Sequence, residues 1–337
     1  MLFNLLASII LTLISTGNER QETPVKIVFY NVENLFDTID DPSTTDEDFT
    51  PAGNYHWTYK RYNEKLDNLS KVIIAIGGWN PPDIIGLCEV ENSKVLLDLT
   101  CQTPLARFNY KFIHEDSPDR RGIDVALLYR SESARLLRSR YLTVDTVITR
   151  DILYARFLMG RDTCHIFVNH WPSRSSGQLE TDKGRFAAAR LLKAVTDSIL
   201  AKNVYSRIVI MGDFNDEPDD ESIQSVLQAQ TPGLPIHMGR LYNLSVIAFN
   251  GPAYGTLKYQ GNWNVFDQVI VSGSLLSNQS GLTTNKNGYS VFDNPFLLEP
   301  DETYNGFKPR RTYTGYKYTG GFSDHLPVIL ELNRSPH

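Results

Sequence analysis

Apolar residues along this chain fall into short runs that stop abruptly at polar residues. Ile208-Val209-Ile210-Met211 stops at Gly212-Asp213-Phe214-Asn215, and Val25 to Tyr30 runs into Asn31-Val32-Glu33. Ile84 to Cys88 meets Glu89, and His165 to Val168 meets Asn169-His170. Runs of this length, rich in β-branched and aromatic residues, predict strands, and the Ile208 run predicts one covered on both faces. Gly212 is expected to let the backbone turn where the polar residues begin. Alternate residues of an extended segment share a face, so Asp213 and Asn215 point together while Phe214 packs behind.

Between these strands the period changes. Leu66, Leu69, Val72, Ile73 and Ile76 recur at three and four, and Gly77-Gly78 ends that helix. Asn92 is placed to cap a short helix over Val95 to Leu99. A longer amphipathic helix is predicted from Asp182 to Leu200, and a short one from Asp219 to Gln228. Strands at Asp124 to Tyr129, Tyr141 to Val144 and Leu153 to Leu158 follow one another as antiparallel hairpins. Asp37 to Trp57 has no period and reads as an acidic, solvated loop. No linker or composition break separates residue 24 from the end, so residues 24–337 are expected to form a single domain.

The chain has 337 residues, 41% of them hydrophobic, enough for a substantial core. Its 33 basic and 39 acidic residues leave a net charge of −6. That balance excludes a strong positive field that would hold nucleic acid avidly through counterion release. Residues 1–23 contain an apolar stretch too short to span a bilayer comfortably, ending in small residues. It is expected to be a signal for export, periplasmic or extracellular, with a disordered or packed tail as the alternative. No further apolar segment is long enough for a transmembrane helix. Cys88, Cys101 and Cys164 lack metal-ligand spacing, and Cys88 and Cys164 read as buried thiols.

Each polar strand end has two readings. Asp and Asn after a strand are common turn formers, and they are equally hard oxygen ligands for Mg²⁺ or proton acceptors. Asn31 and Glu33 divide evenly between ligand and turn. Glu89 is a candidate ligand or a helix-terminal acid, and the acid role suits Glu91 better. Arg121, before a tight turn, fits a phosphate clamp or a solvated loop. His170 fits a phosphate donor or a satisfied core histidine, and Asp267 fits a site residue or a surface cap.

Taken in order, Asn31-Val-Glu33, Leu87-Cys-Glu89, Asn169-His170-Trp-Pro, Gly212-Asp213-Phe-Asn215, Phe266-Asp267 and Ser323-Asp324-His325-Leu-Pro resemble the endonuclease/exonuclease/phosphatase superfamily. Deoxyribonuclease I, exonuclease III, inositol-polyphosphate 5-phosphatases and neutral sphingomyelinases belong to it. The resemblance implies a four-layer α/β/β/α sandwich of two mainly antiparallel sheets flanked by helices, with the site on strand ends at one edge. It implies a metal-dependent phosphoesterase in which Glu89 is the principal Mg²⁺ ligand, helped by Glu33, Asn31 and Asp324; Mn²⁺ is the alternative ion. Asp213 would orient or deprotonate water, and Asn215 would bind the phosphate or a second ion. His325, paired with Asp267, and His170 would contact the scissile phosphate. Arg121 and Asn169 join Asn215 as substrate-binding residues, and Glu115 is taken as the acid partner of His170.

The expected activity is nuclease-like hydrolysis of a phosphodiester, with nucleic acid or a nucleotide as the favoured substrate. The alternatives are a phosphomonoesterase or a lipid phosphodiesterase of the inositol phosphatase or sphingomyelinase kind, and, in another class, a binding protein that kept the fold. A sphingomyelinase-like enzyme should expose an aromatic hairpin, for which Tyr313, Tyr316 and Tyr318 are the candidates. No stable protein partner is implied, and a monomer is expected.

Overall fold

The computed structural model describes residues 23–174, 178–233, 235–251, 254–277 and 280–335. The apolar stretch expected to direct export lies outside them. From the N-terminus the strands are β1 (Val25–Leu35), β2 (Ile84–Val90), β3 (Tyr110–Ile113), β4 (Asp124–Arg130), β5 (Arg135–Leu142), β6 (Ile152–Met159), β7 (Asp162–His170) and β8 (Arg207–Asp213). Next come β9 (Ala229–Gln230), β10 (Leu241–Asn243), β11 (Leu257–Tyr259), β12 (Asn262–Asn264), β13 (Asp267–Ser272), β14 (Gly281–Thr283) and β15 (Tyr289–Val291). The last are β16 (Leu298–Pro300), β17 (Phe307–Pro309), β18 (Tyr313–Thr314), β19 (Lys317–Tyr318) and β20 (Val328–Ser335). The longer helices are α1 (Tyr59–Gly77), α2 (Ser93–Cys101) and α3 (Gln178–Lys202).

Two sheets face each other. One runs β14-β20-β1-β2-β4-β3, with β15 also against β20; the other runs β5-β6-β7-β8-β13-β10-β9. Alternation along β1 sets the layers. Ile27 and Phe29 point into an apolar core with Leu127, Val168, Met211 and Val269 of both sheets. Val28 and Tyr30 point the other way, onto Leu66, Leu69 and Ile73 of α1. On the far side Ile208 and Ile210 of β8 pack with Ala189 and Leu192 of α3. Helix, sheet, sheet and helix are therefore the four layers expected from the sequence.

Most strand pairs are antiparallel, but β1 and β2 are parallel, as are β7 and β8 and the short pair β9 and β10. A parallel pair needs a long crossover, and α1 supplies it between β1 and β2 and α3 between β7 and β8. The consequence fixes the site. Parallel neighbours end at one edge, so the ends of β1 and β2 coincide, as do His170 and Asp213, which are paired residues of β7 and β8. Antiparallel neighbours begin where those end: Asp267, the first residue of β13, pairs with Asp213. Val328 of β20 pairs with Phe29 of β1, which brings the preceding Ser323-Asp324-His325 to the same rim.

Two local expectations change. Gly212 does not turn the chain; it lies within β8, where a Cβ would come 2.4 Å from the Asn169 carbonyl oxygen, so its role is close approach of β7. The segment from Asp219 to Gln228 is not an α-helix but a single π-helical turn, Ser222–Leu227. Asp220 stays in the preceding turn, where its carboxylate accepts from the Glu217 N–H at 2.6 Å. Asn92 caps α2 as expected, accepting from Val95 N–H.

Candidate active site

The polar ends of β1 and β2 are bent into place by irregular backbone. The β1–β2 register shifts between Asn31 and Leu35, and the β2–β4 register shifts between Cys88 and Val90. β1 thus runs on through Leu35 instead of ending at Tyr30, with a bulge at Glu33 and Asn34. Glu33, Asn34, Glu89 and Asn215 all have positive φ, 52°, 55°, 62° and 51°. Non-glycine residues in this region are strained, and surrounding contacts must hold them there. The contacts are present: Glu89 accepts from Asn34 N–H at 2.9 Å and from the Asn31 amide at 3.3 Å. Glu33 N–H donates to Asn31 Oδ1 at 2.9 Å.

Asp213 stands at the centre. Its Oδ2 accepts from the Asn31 amide at 3.0 Å and lies 3.7 Å from His170 Nε2 and 3.8 Å from His325 Nε2. Its Oδ1 accepts from Asn215 N–H at 3.0 Å. Burial raises its pKa to about 7; the charge of His325 opposes that rise and Asp267 adds to it. Two imidazoles flank it in different states. Burial disfavours the cation at His325, but the charge of Asp267 and its hydrogen bond to Nδ1 at 2.7 Å outweigh this and hold the pKa well above the ordinary value. At His170 burial, with Arg150 and Arg121 adding to it, drives the pKa well below, so this ring is neutral.

On the other side Glu33 and Asp324 share Arg311, which donates from Nε at 3.1 Å and from Nη2 at 2.9 Å respectively. Thr312 N–H also donates to Glu33, at 2.7 Å. Burial raises Glu33 to about 7 and Asp324 adds to the rise, while Lys65 and Arg311 oppose it. Lys65 itself is 1% exposed and donates to Thr312 Oγ1 and to the Phe322 carbonyl, each at 2.6 Å. Beside Glu33 and Arg311 opens a cavity of about 150 Å³ walled by Phe49, Tyr55, Trp57 and Tyr313.

Of the residues singled out from the sequence, Asn31, Glu33, Glu89, His170, Asp213, Asn215, Asp267, Asp324 and His325 converge on this rim. Arg121 reaches it through a hydrogen bond to Asn34 Oδ1. Asn169 is set apart. It is fully buried, donates to Met211 O at 3.1 Å and accepts from Trp171 Nε1 at 3.2 Å, so it fastens β7 to β8 beneath the surface. Glu115 is not the partner of His170. Nδ1 of His170 is buried with no hydrogen-bond partner among the described residues, and Glu115 is exposed on the connection that leaves β3 toward solvent.

Sequence reasoning missed three cations. Arg150 donates to Trp171 O at 2.8 Å and to Asp119 at 3.1 Å, holding the chain beyond His170. Arg311 was visible only as part of a basic stretch, because the hairpin that aims it has no periodic signature. Lys65 did carry a signal: it sits among Tyr62, Leu66 and Leu69, on the face of α1 that packs inward.

A family model described as the endonuclease/exonuclease/phosphatase family matches residues 26–334. The chain belongs to that family. Among curated proteins compared by sequence, none matches. Solved structures of family-like fold do. TDP2 of D. rerio, in complex with a single-strand DNA product, is 14% identical with a TM-score of 0.56, covering 92% of this chain and 99% of that one. A mannosyl-6-phosphatase of Bacteroides thetaiotaomicron is 16% identical with a TM-score of 0.56, covering 91% and 99%. The human Nocturnin catalytic domain with bound sulfate is 16% identical with a TM-score of 0.55, covering 93% and 94%. At these identities the likeness is one of fold. Through that family the chain is homologous to phosphoesterases.

Proposed function

We propose that this member of the family is a divalent-metal-dependent hydrolase of phosphodiester bonds, with nucleic acid or a nucleotide as substrate. The observation that carries the reading is Asp213, a buried carboxylate whose Oδ2 is within 3.8 Å of a neutral and a charged imidazole. An acid raised to about 7 is matched to accepting a proton from water near neutral pH. Asn31 fixes the direction of that carboxylate through its amide. His325, charged by Asp267, donates to a phosphate oxygen where negative charge grows, which favours the transition state over the ground state. His170, neutral, offers one N–H to the same group, and Asn215 and Arg121 orient it.

Glu89, Glu33, Asn31 and Asp324 would hold the metal. They offer hard oxygen donors, which suit Mg²⁺, with Mn²⁺ as the alternative. The fit is supported by Glu33, whose pKa rises to about 7 through burial and then through Asp324: acids gathered out of water favour a cation among them. When bound, the ion supplies neutralisation of charge on the phosphate.

Nucleic acid or nucleotide is preferred over lipid because the β18–β19 hairpin exposes Tyr316 at 64% but buries Tyr313 at 6%, which leaves little apolar surface for a membrane. The DNA-bound TDP2 neighbour supports the same preference. Export is proposed on the N-terminal apolar run, and cell fractionation tests it. The activity is tested with Mg²⁺ on plasmid, single strands, RNA, nucleotides, inositol phosphates, sphingomyelin and a hexose 6-phosphate, with Asp213→Asn as the blank. Hydrolysis of a nucleic-acid or nucleotide diester, abolished by EDTA, is expected. Exclusive turnover of the monoesters or of sphingomyelin overturns the substrate assignment, and ligand binding with no hydrolysis of any ester overturns the enzyme.

A further inference from the structure

The connection that follows β3 and the first residue of β4, Asp124, which pairs with Val90 of β2, gather metal-binding side chains that the reading of the rim leaves unused. His114, Asp116 and Asp124 place one ring nitrogen and two carboxylate oxygens within 4.8 Å of one another. The His114 side chain is 1% exposed and that of Asp124 4%. Nδ1 of His114 lies 3.2 Å from Ser93 Oγ, to which it can donate. Nε2 is buried without a hydrogen-bond partner among the described residues, yet it lies 3.5 Å from Asp124 Oδ2.

That spacing decides between two arrangements. A charge-assisted hydrogen bond between imidazolium and carboxylate closes to about 2.7–2.9 Å, so 3.5 Å is loose for one. Two ligands on a single tetrahedral ion, each at about 2.0–2.2 Å from it, stand roughly 3.3–3.6 Å apart. The surroundings follow the pattern of a metal site. The second ring nitrogen meets a hydroxyl, and the other oxygen of Asp124 accepts from Ser117 N–H at 3.0 Å and from its hydroxyl. Asp116, 85% exposed, leaves a path for an ion to enter. Tyr141 Oη and Asp151 Oδ1 are also buried and unpartnered among the described residues, and the charges of Glu115 and Asp124 act on both residues.

We propose that His114, Asp116 and Asp124 form a second cation site, for Zn²⁺, that fastens the β3–β4 connection. One imidazole with two carboxylates suits Zn²⁺, whereas Ca²⁺ takes oxygen ligands. The same connection carries Asp119, which holds Arg150 at 3.1 Å, and Arg121, which bonds Asn34. An ion there sets the shape of the loop that borders the rim, without touching substrate.

Zn²⁺ titrated into the chelator-treated full chain, in saturating Mg²⁺ and followed by calorimetry, tests this. One equivalent is expected to bind wild type and Glu89→Gln alike, and to bind at least tenfold more weakly to His114→Gln and to Asp116→Asn. Asp116 is at the surface, so that variant keeps the fold, and Zn²⁺ should raise the Tm of wild type but not of Asp116→Asn. Equal Zn²⁺ binding by wild type and both loop variants overturns the site. So does loss of the equivalent in Glu89→Gln alone, which would put the ion at the rim. Neither result bears on whether the rim hydrolyses an ester.

Discussion

At Asp213 a carboxylate is withdrawn from water and set between two imidazoles, and the same burial that raises it to about 7 lowers His170. His325 escapes because Asp267 answers its charge at 2.7 Å. Replacing Asp213 by Asn, or His325 by Ala, should reduce turnover at least about a hundredfold, the low end for loss of such a group, while circular dichroism still shows the folded protein. Asp267→Asn probes the pairing. A histidine whose pKa is raised on folding keeps its charge below the ordinary value and loses it only as pH rises through the folded one. Without the Asp267 charge that loss must come at lower pH, so the alkaline limb of the rate profile should move down; an unmoved limb would show that His325 is not the acid being read. Asp213 and His170 were legible because each ends an apolar run, whereas Asp267 and His325, which stand before or at the start of β13 and β20, came from the motif resemblance. That no described side chain bonds His170 Nδ1 was not legible: whether one reaches a buried nitrogen depends on loop path, and Glu115 is led to solvent.

At the level of elements, strand ends were readable and their supports only in part. The sequence places Asn31 and Glu33 after β1, but the bulge that carries Glu33 and Asn34 into positive φ is fixed by contacts with Glu89 and Thr312, from distant segments. Helix α1 does more than cover the sheet. Through Lys65 it grips Thr312, whose N–H bonds Glu33, and Phe322, which precedes Ser323-Asp324-His325. Lys65→Met removes two charge-assisted bonds and should lower stability by about 1.5–3 kcal/mol per bond lost, less whatever desolvation is relieved. Because both grips lead to acids at the rim, the Mg²⁺ concentration for half-maximal rate should also rise. A lower Tm with unchanged Mg²⁺ dependence would make Lys65 a structural residue only.

For the molecule as a whole, the parallel joins β1–β2 and β7–β8 make one edge of the sandwich collect the polar ends of those strands and the start of β13. Strand order within each sheet could not be read from periodicity, because hairpins and crossovers leave similar apolar runs; the four layers came from the motif resemblance. The field around that edge is weak. Net charge is −6, and among the described residues the cations assigned to the rim's open side are Arg121, exposed, and Arg311, half-buried and already shared by Glu33 and Asp324. A protein that neutralises about two phosphates loses about tenfold in affinity for duplex DNA between 50 and 200 mM salt, against 10³–10⁵ for one making 6–10 phosphate contacts. If nucleic acid is the substrate, KM measured across that range should therefore rise by about an order of magnitude, with kcat nearly constant, and a short oligonucleotide should be cleaved as well as a plasmid. A steep salt dependence would mean that basic residues well beyond Arg121 and Arg311 engage the strand, and that recognition extends over much more of the surface than this rim.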